Sequence, residues 1–288
     1  MTTVAIAGTG RMGTAFARRL IETGHQVTVW NRTPERTGDA VGAGADLAPD
    51  LATLAGAEII LLSLTDAAAV EAVTQGLIGA GIAGKLVVDM STLLPEETRA
   101  IAARVTGAGA DFVDCPVGGT VGPALKGQLL GMAGGTDAAV ARARPVLEHL
   151  CKRVEHLGPA GTGASMKLAV NLPLAVYWQT LAEALSLLDG TGIAPETAIS
   201  VIADSSAGPA VLKNRAQVVI DTLNGTDQPG TFDIDGLSKD LGLALQQAAR
   251  LGRDLPVSGA VQKSYEKAIA EGLGGFDGSS LTRHLTGA

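Results

Sequence analysis

The chain has 288 residues, 46% of them hydrophobic and 18% charged, and a formal net charge of −7 at pH 7. That length and composition indicate a globular protein with a sizeable core and two domains. The acidic balance argues against nucleic-acid binding, and no uninterrupted apolar run approaches the ~18 residues of a membrane span. Cys115 and Cys151 are too few for a disulfide framework, and no cysteine or histidine spacing indicates a metal site. The first residues enter a strand-like run without a signal-peptide pattern, so we expect a cytoplasmic protein.

Short apolar runs alternate with helical patterns over about the first 160 residues. Strands are predicted at residues 4–7, 27–30, 59–64, 86–89 and 112–114, with weaker ones at 129–132 and 154–157. Helices are predicted between them at residues 12–22, 67–75, 95–106 and 137–150. Because strands that alternate with helices form right-handed crossovers, the pattern predicts an α/β Rossmann-type doubly wound parallel sheet.

The pattern changes near residue 160, after which only helical periodicity follows. Helices are predicted at about residues 164–191 and at 195–204, 209–223, 237–251 and 257–271. We therefore predict a dinucleotide-binding domain at residues 1–160 and an all-α domain at 161–288 for substrate binding and dimerisation. The apolar segments 172–176 and 181–188 exceed what one small domain needs, which predicts a homodimer or a tetramer.

A glycine-rich turn follows the first predicted strand and opens the first predicted helix. It reads Gly8-Thr9-Gly10-Arg11-Met12-Gly13. The first glycine permits a tight turn, the second lets the backbone approach a pyrophosphate, and the third allows close packing of helix on strand. A helix N-terminus also offers unpaired N–H groups to phosphates. In this strand–turn–helix context the motif predicts a dinucleotide cofactor.

The residues after the second predicted strand determine whether a dinucleotide-binding domain prefers NAD or NADP. NAD enzymes usually carry Asp or Glu there, whereas this chain has Asn31, Arg32 and Thr33. A planar guanidinium suits a 2′-phosphate, so we predict NADP(H), with an ordinary polar turn as the alternative. After the third strand, Leu64 and Thr65 are predicted to contact the cofactor. Asp66 beside them is an N-cap candidate for the next helix.

Lys167 and Asn171 lie four residues apart in the longest predicted helix, so their side chains share one face. Near a helix start the positive end of the dipole lowers the pKa of a lysine, which suits it to acid–base chemistry. The glycine-rich segment 158–163 before them lies at the predicted domain junction, and the pair is expected to face the cleft there. The alternative is a solvated helix face.

Several segments in order resemble the β-hydroxyacid dehydrogenase family. They are the turn at residues 8–13, a D-x-S-T-x-x-P segment at 89–95, the loop at 114–120, the G-x-G-x-x-x-K-x-x-x-N segment at 161–171 and K-D-L at 239–241. That family includes 3-hydroxyisobutyrate dehydrogenases, tartronate semialdehyde reductases and glyoxylate/succinic semialdehyde reductases. The resemblance covers essentially the whole chain.

The resemblance implies roles for several residues. Lys167 would be the general acid that protonates a carbonyl oxygen as hydride arrives at carbon, or the base in the reverse direction. Asn171 would orient that oxygen, and Ser91 would lie near cofactor and substrate. Lys239 is expected near the cofactor or substrate, with a surface lysine as the alternative. Trp178, seven residues after Asn171, is predicted either to line the substrate pocket or to pack in the core.

The substrate loop departs from the family pattern. The family usually reads D-A-P-V-S-G-G, whereas this chain has Gly118, Gly119 and Thr120 at the last three positions. A hydroxyl has therefore moved two residues along the loop. Either Thr120 replaces the lost donor, or the site no longer favours a carboxylate, or the loop is a flexible glycine turn.

We expect an NADPH-dependent reductase of small aldehydes or oxo acids that runs in reverse as a hydroxyacid dehydrogenase. An imine reductase shares the two-domain plan, but that group often carries Asp or Tyr where this chain has Lys167. A non-catalytic NADP-binding sensor is a third hypothesis, against which the intact Lys167 and Asn171 argue. A 6-phosphogluconate dehydrogenase has a much longer C-terminal domain than this chain.

Overall fold

The computed structural model describes residues 2–286. The chain divides into two compact units, Met1–Leu168 and Ala169–Ala288. The first unit is α/β and the second is helical across its described residues, which confirms the predicted fold class. The boundary predicted after residue 160 stays a prediction, because one helix, Thr162–Ser186, continues across the division.

Nine strands within residues 2–286 form one sheet in the first unit. They are β1 (Thr3–Ala7), β2 (Gln26–Trp30), β3 (Asp46–Leu47), β4 (Ile59–Leu62), β5 (Leu86–Asp89), β6 (Asp111–Asp114), β7 (Val117–Gly118), β8 (Leu129–Gly135) and β9 (Cys151–His156). Their spatial order is β3-β2-β1-β4-β5-β6-β8-β7, with β9 paired to β8. From β3 to β6 all pairs are parallel. The chain winds outwards from β1 in both directions, as in a dinucleotide-binding sheet.

Helices connect and cover these strands. In the first unit they are α1 (Arg11–Glu22), α2 (Gly38–Gly42), α3 (Leu51–Ala55), α4 (Ala67–Ala80), α5 (Pro95–Gly107), α6 (Val121–Leu125) and α7 (Asp137–Leu150). Helix α8 (Thr162–Ser186) is followed by α9 (Pro195–Asp204), α10 (Ala210–Leu223), α11 (Ile234–Arg250), α12 (Pro256–Ala270) and α13 (Leu281–Thr286). The long predicted helices are all present, and α2, α3, α6 and α13 were not predicted because short helices leave too little periodicity.

One edge of the sheet departs from the predicted parallel arrangement. Strand β8 runs antiparallel to both β6 and β7. A parallel neighbour usually needs a helix in its crossover that is long enough to run back along the sheet. The segment between β6 and β8 instead holds β7, which pairs with β8, and only the short helix α6, so the chain turns back and pairs antiparallel. The loop predicted to bind substrate is therefore built into the sheet.

Side chains alternate between two cores as the central strands cross the first unit. In β1, Val4 and Ile6 face one hydrophobic cluster, whereas Ala5 and Ala7 face the other. Residues of α1 and α7 complete the first cluster, and residues of α3, α4 and α5 complete the second. Burial on both faces explains the nearly continuous apolar runs that identified these strands.

The second unit has its own core. Residues of α8 from Ala175 to Leu185 pack there with residues of α9 to α13. Helix α8 ends at Ser186, earlier than the predicted residue 191, and Gly190 and Gly192 both follow with positive φ angles. Across residues 2–286, no helix combines the length and apolar character needed to cross a bilayer.

Candidate active site

The glycine-rich turn has the conformation that its sequence predicts. Gly8 has φ +97°, and its N–H donates to the carbonyl oxygen of Trp30 at 2.8 Å. A Cβ on Gly13 would overlap the carbonyl oxygen of Gly8, so α1 packs on β1 only with glycine at this position. No described atom lies within 4 Å of a Cβ built on Gly10, the N-cap of α1. The start of α1 is thus open to a phosphate, and the turn fits a dinucleotide.

A network of three hydrogen bonds, centred on Thr9 and Asn31, joins this turn to the end of β2. Thr9 Oγ1 donates to the carbonyl oxygen of Arg36 at 2.9 Å and accepts from Asn31 Nδ2 at 2.9 Å. Asn31 Oδ1 in turn accepts the N–H of Thr33 at 3.0 Å. Asn31 therefore joins the glycine-rich turn to the end of β2, the two segments that are predicted to bind the cofactor.

A cavity of about 260 Å³ opens where β1, β2 and β4 end. Its lining residues are Gly8, Gly10, Trp30, Asn31, Arg32, Thr33, Arg36, Leu51, Ser63, Leu64, Thr65, Ala69, Ala72 and Val73. Of the seven residues predicted to contact the cofactor beyond the glycine turn, five are among them and two, Ser91 and Lys239, are not. Arg36 was not predicted, although it follows Arg32 by four residues across the 3-10 turn Pro34–Thr37.

A second cavity of about 260 Å³ lies at the start of α1. Arg11, the first residue of that helix, lines it together with Val121 and Leu125 of α6. Met12 is half-buried and packs against the first hydrophobic cluster. The helix that follows the predicted substrate loop thus lies beside the start of α1.

The ends of β4 and β5 are joined through Ser91. The hydroxyl of this buried residue accepts the N–H of Leu64 at 3.1 Å, and its own N–H donates to Asp89 Oδ1 at 3.0 Å. Asp66 is the N-cap of α4, where its Oδ1 accepts the N–H of Ala69 at 2.8 Å. The capping role considered for Asp66 is confirmed.

The predicted substrate loop has a defined backbone. Gly118 lies in β7 opposite Leu130, so the alternative of a flexible turn is wrong there. Gly119 has φ +118°, a conformation that strains residues with a side chain, and a Cβ at this position would lie 2.7 Å from Leu129 Cδ2, so that Leu129 would have to shift. Thr120 is the N-cap of α6, and within the described residues its side chain makes no capping hydrogen bond. The Thr120 hydroxyl therefore does not serve the helix that it precedes.

Asp114, the last residue of β6, binds the start of α8. Its Oδ1 accepts the N–H of Gly161 at 2.8 Å, and its Oδ2 accepts the N–H of Ala164 at 2.9 Å. Burial raises the pKa of this carboxyl above its ordinary value, and the backbone N–H groups that donate to it act in the opposite direction. The sequence placed Asp114 only at the head of the substrate loop, because a contact 50 residues along the chain leaves no local pattern.

Lys167 is buried beside the same loop. Its Nζ donates to the carbonyl oxygen of Val117 at 2.8 Å, and the residue is 9% exposed. Asn171, one turn later on α8, is 4% exposed. The alternative prediction, that the pair lies on a solvent-exposed helix face, is therefore wrong. Lys167 is the sixth residue of α8 and lies in its second turn, beyond the first turn over which a helix dipole acts most strongly.

In the second unit, Asn171 pairs with an acidic residue of α11. Its Nδ2 donates to Asp240 Oδ2 at 2.6 Å, and both side chains are buried. Lys239 Nζ lies 3.6 Å from Asp240 Oδ1. Asp240 thus joins the two polar residues predicted on this unit, a role that the K-D-L segment alone did not assign. Trp178 is 3% exposed in the helical core, where a Cβ on Gly278 would lie 2.8 Å from its Cδ1.

Comparison with known proteins matches both parts of the chain. Residues 3–158 match the model of the NAD binding domain of 6-phosphogluconate dehydrogenase. Residues 161–285 match the NAD-binding domain of NADP-dependent 3-hydroxyisobutyrate dehydrogenase. The chain belongs to the β-hydroxyacid dehydrogenase family. Members of this family are NAD(P)-dependent enzymes that act on small molecules, so a nicotinamide dinucleotide is the cofactor.

Two curated relatives and one solved structure illustrate the match. Glyoxylate/succinic semialdehyde reductase 1 of Arabidopsis thaliana is 31% identical over 96% of each chain. The 3-hydroxyisobutyrate dehydrogenase of Pseudomonas aeruginosa is 33% identical over 100% of this chain and 99% of its own. The 3-hydroxyisobutyrate dehydrogenase of Mycobacterium tuberculosis, solved with L-serine, superposes with a TM-score of 0.89 at 28% identity over 99% of each chain.

Imine reductases are more distant in structure. The enzyme from Streptomyces aurantiacus covers 98% of this chain, and 99% of its own chain is matched. Its sequence is 25% identical and its TM-score is 0.63. The chain is therefore closer in fold to the hydroxyacid enzyme than to this imine reductase.

Proposed function

We propose that this β-hydroxyacid dehydrogenase is an NADP-dependent reductase of small aldehydes or oxo acids, and that it oxidises the hydroxy acid in reverse. The observation that carries the proposal is the buried Lys167, whose Nζ donates to the carbonyl oxygen of Val117 within the substrate loop. A lysine ammonium can donate a proton to a carbonyl oxygen. L-serine, present with the Mycobacterium tuberculosis relative, is itself a small hydroxy acid.

In the proposed reduction, the reduced nicotinamide supplies a hydride to the carbonyl carbon when it is bound. Lys167 Nζ gives a proton to the carbonyl oxygen, so an aldehyde becomes an alcohol and the lysine becomes neutral. The reverse direction returns the proton to Nζ. The bond to Val117 fixes where Nζ lies, and the bond from Asn171 to Asp240 fixes the plane of the carboxamide that is proposed to orient the oxygen. Holding these groups in place lowers the activation barrier of hydride and proton transfer, because they need no further ordering when the reaction occurs.

Cofactor preference is proposed to come from the rim of the first cavity. Arg32 and Arg36 both line it, and its lining also includes the apolar Leu64, Ala72 and Val73. An apolar wall suits an adenine ring, and two guanidinium groups suit the 2′-phosphate that distinguishes NADP(H) from NAD(H). Thr33 adds a hydroxyl at the same rim.

A substrate panel tests the proposed activity. NADPH oxidation would be followed with succinic semialdehyde, glyoxylate and a cyclic imine at matched concentrations. We expect turnover of at least one carbonyl substrate and slower turnover of the imine. Faster turnover of the imine would favour an imine reductase. NADPH binding without turnover of any panel member would favour a non-catalytic sensor.

Substrate choice is proposed to depend on the altered loop. A Cβ on Gly118 would lie 3.6 Å from Leu130 Cβ, an ordinary contact, so Gly118→Ser is expected to fold with little loss of stability. The new hydroxyl would restore the donor that the family loop usually has. We expect it to lower KM for carboxylate-bearing aldehydes about 10- to 100-fold, the effect of one hydrogen bond of about 1.5–3 kcal/mol to a charged group. KM for an uncharged aldehyde of similar size is the control, and an equal change in both would argue against carboxylate recognition.

Assembly into a homodimer or tetramer is also proposed. In the second unit, Leu187, Val201 and Leu251 are more than 60% exposed, as expected of side chains that a second copy covers. Light scattering at micromolar concentration should give at least twice the 29.0 kDa of one chain. A mass equal to one chain would rule the assembly out.

A further inference from the structure

Helix α8 cannot cap its own N-terminus. The first N–H groups of a helix have no partner within it and usually bond to a Ser, Thr, Asn or Asp side chain at the N-cap. The residue before α8 is Gly161, whose φ of +91° disfavours every residue with a Cβ. Asp114 of β6 supplies the missing acceptor from 47 residues away in sequence. Its two oxygens satisfy two separate N–H groups, those of Gly161 and Ala164.

The helix face that rests on Asp114 is the face that carries Lys167. Gly163 and Lys167 are four residues apart, so one lies above the other. A Cβ on Gly163 would overlap the carbonyl oxygen of Met132 and lie 2.8 Å from Asp114 Oδ2. The backbone of α8 thus reaches its closest approach to β6 and β8 one turn below the lysine. Lys167 Nζ then reaches Val117, three residues after Asp114 on the same loop.

We propose that Asp114 is the positioning residue for Lys167: its carboxylate sets the height and rotation of the first turns of α8, and so the place of Nζ. This inference rests on the proposed function, in which Lys167 is the acid. Asp114 itself touches neither the lysine nor the substrate in this role. Its action passes through the backbone of α8.

A carboxylate is required for this task, because an amide offers one acceptor and two donors. In Asp114→Asn one of the two N–H groups, of Gly161 or Ala164, would face an NH₂ group and lose its partner. The helix start would shift or tilt to relieve this contact. The variant is still expected to fold. The folded-state pKa of Asp114 lies above the unfolded value, so the ionised carboxylate costs folding free energy at neutral pH and a neutral side chain removes that cost.

The test measures Asp114→Asn at saturating NADPH and aldehyde. A displacement of about 1 Å costs up to about 100-fold in rate, so we expect kcat to fall about 10- to 100-fold. The Kd for NADPH should stay within about twofold, since Asp114 lies outside both cavities beside the glycine-rich turn. The isotope effect with NADPH deuterated at the transferred position should increase. Asp111→Asn, on the exposed start of the same strand, is the matched control and should keep the wild-type kcat.

A double-mutant cycle separates positioning from general damage. If Asp114 acts through Lys167, then Asp114→Asn added to Lys167→Ala should cost less than about threefold further. An equal loss in both backgrounds, or a wild-type kcat in Asp114→Asn, would overturn the inference while leaving Lys167 as the acid. Full turnover by Lys167→Ala alone would instead overturn the proposed function. Should Asp114→Asn fail to fold by circular dichroism, Asp114→Ser, which keeps one acceptor without an opposed donor, takes its place in the cycle.

Discussion

Lys167→Ala is expected to lower kcat for aldehyde reduction about 10²- to 10⁴-fold, the usual contribution of a general acid. Hydride transfer then leaves a developing oxyanion without a proton donor. NADPH binding should change little, because Lys167 lines neither of the two cavities beside the glycine-rich turn. Steady-state kinetics and a fluorescence titration of NADPH measure the two effects separately.

The alanine variant also removes the group bonded to Val117. An unpaired buried carbonyl costs about 1–3 kcal/mol, so part of any loss would come from a disturbed loop. Lys167→Met keeps most of the volume and removes only the charge and the donor, and it should lose as much kcat as the alanine variant. Lys152→Ala, on the exposed side of β9, is the control for removing a positive charge. Retention of more than half of wild-type kcat by Lys167→Met would exclude the lysine as the acid.

Much of this site was predictable because its chemistry is local in sequence. The glycine turn, the strand-end residues Asn31 and Arg32, and the pair Lys167 and Asn171 each lie within one short segment, and the structure places each at the end of a strand or on a helix as expected. The parallel strands β1, β2, β4, β5 and β6 were predicted because burial makes them largely apolar, whereas the exposed two-residue β3 was not predicted. The cavity proposed to bind the cofactor opens where β1, β2 and β4 end.

What the sequence did not give is the set of contacts between distant segments. Asp114 bonds to Gly161 across 47 residues, and Asn171 bonds to Asp240 across 69. Neither contact changes the periodicity of either segment, so no window along the chain contains it. The antiparallel strand β7 was missed because it has only two residues. These long-range contacts orient the residues that the motifs identified.

Replacing both Arg32 and Arg36 with alanine is expected to abolish the proposed preference for NADPH. Each charge-assisted hydrogen bond to a phosphate contributes about 1.5–3 kcal/mol, so each arginine accounts for about a 10- to 100-fold difference in kcat/KM. NADH has no 2′-phosphate, so its kcat/KM should change less than about threefold. The ratio of the two values, measured for each single variant and the pair, is the readout. Arg253→Ala, an exposed arginine of the second unit, should leave that ratio unchanged.

The arginines are a sharper test than the neighbouring Asn31. An Asn31→Asp substitution would add the carboxylate typical of NAD enzymes, but it would also lose the amide that donates to Thr9 Oγ1. Loss of that bond loosens the glycine turn and weakens both cofactors alike. Both arginines line the cavity. In the hydrogen-bond network of Thr9 and Asn31, Arg36 takes part through its backbone carbonyl oxygen, and an alanine at this position keeps that carbonyl. A wild-type preference for NADH, or an equal loss for both cofactors in the double variant, would show that these guanidinium groups do not read the 2′-phosphate.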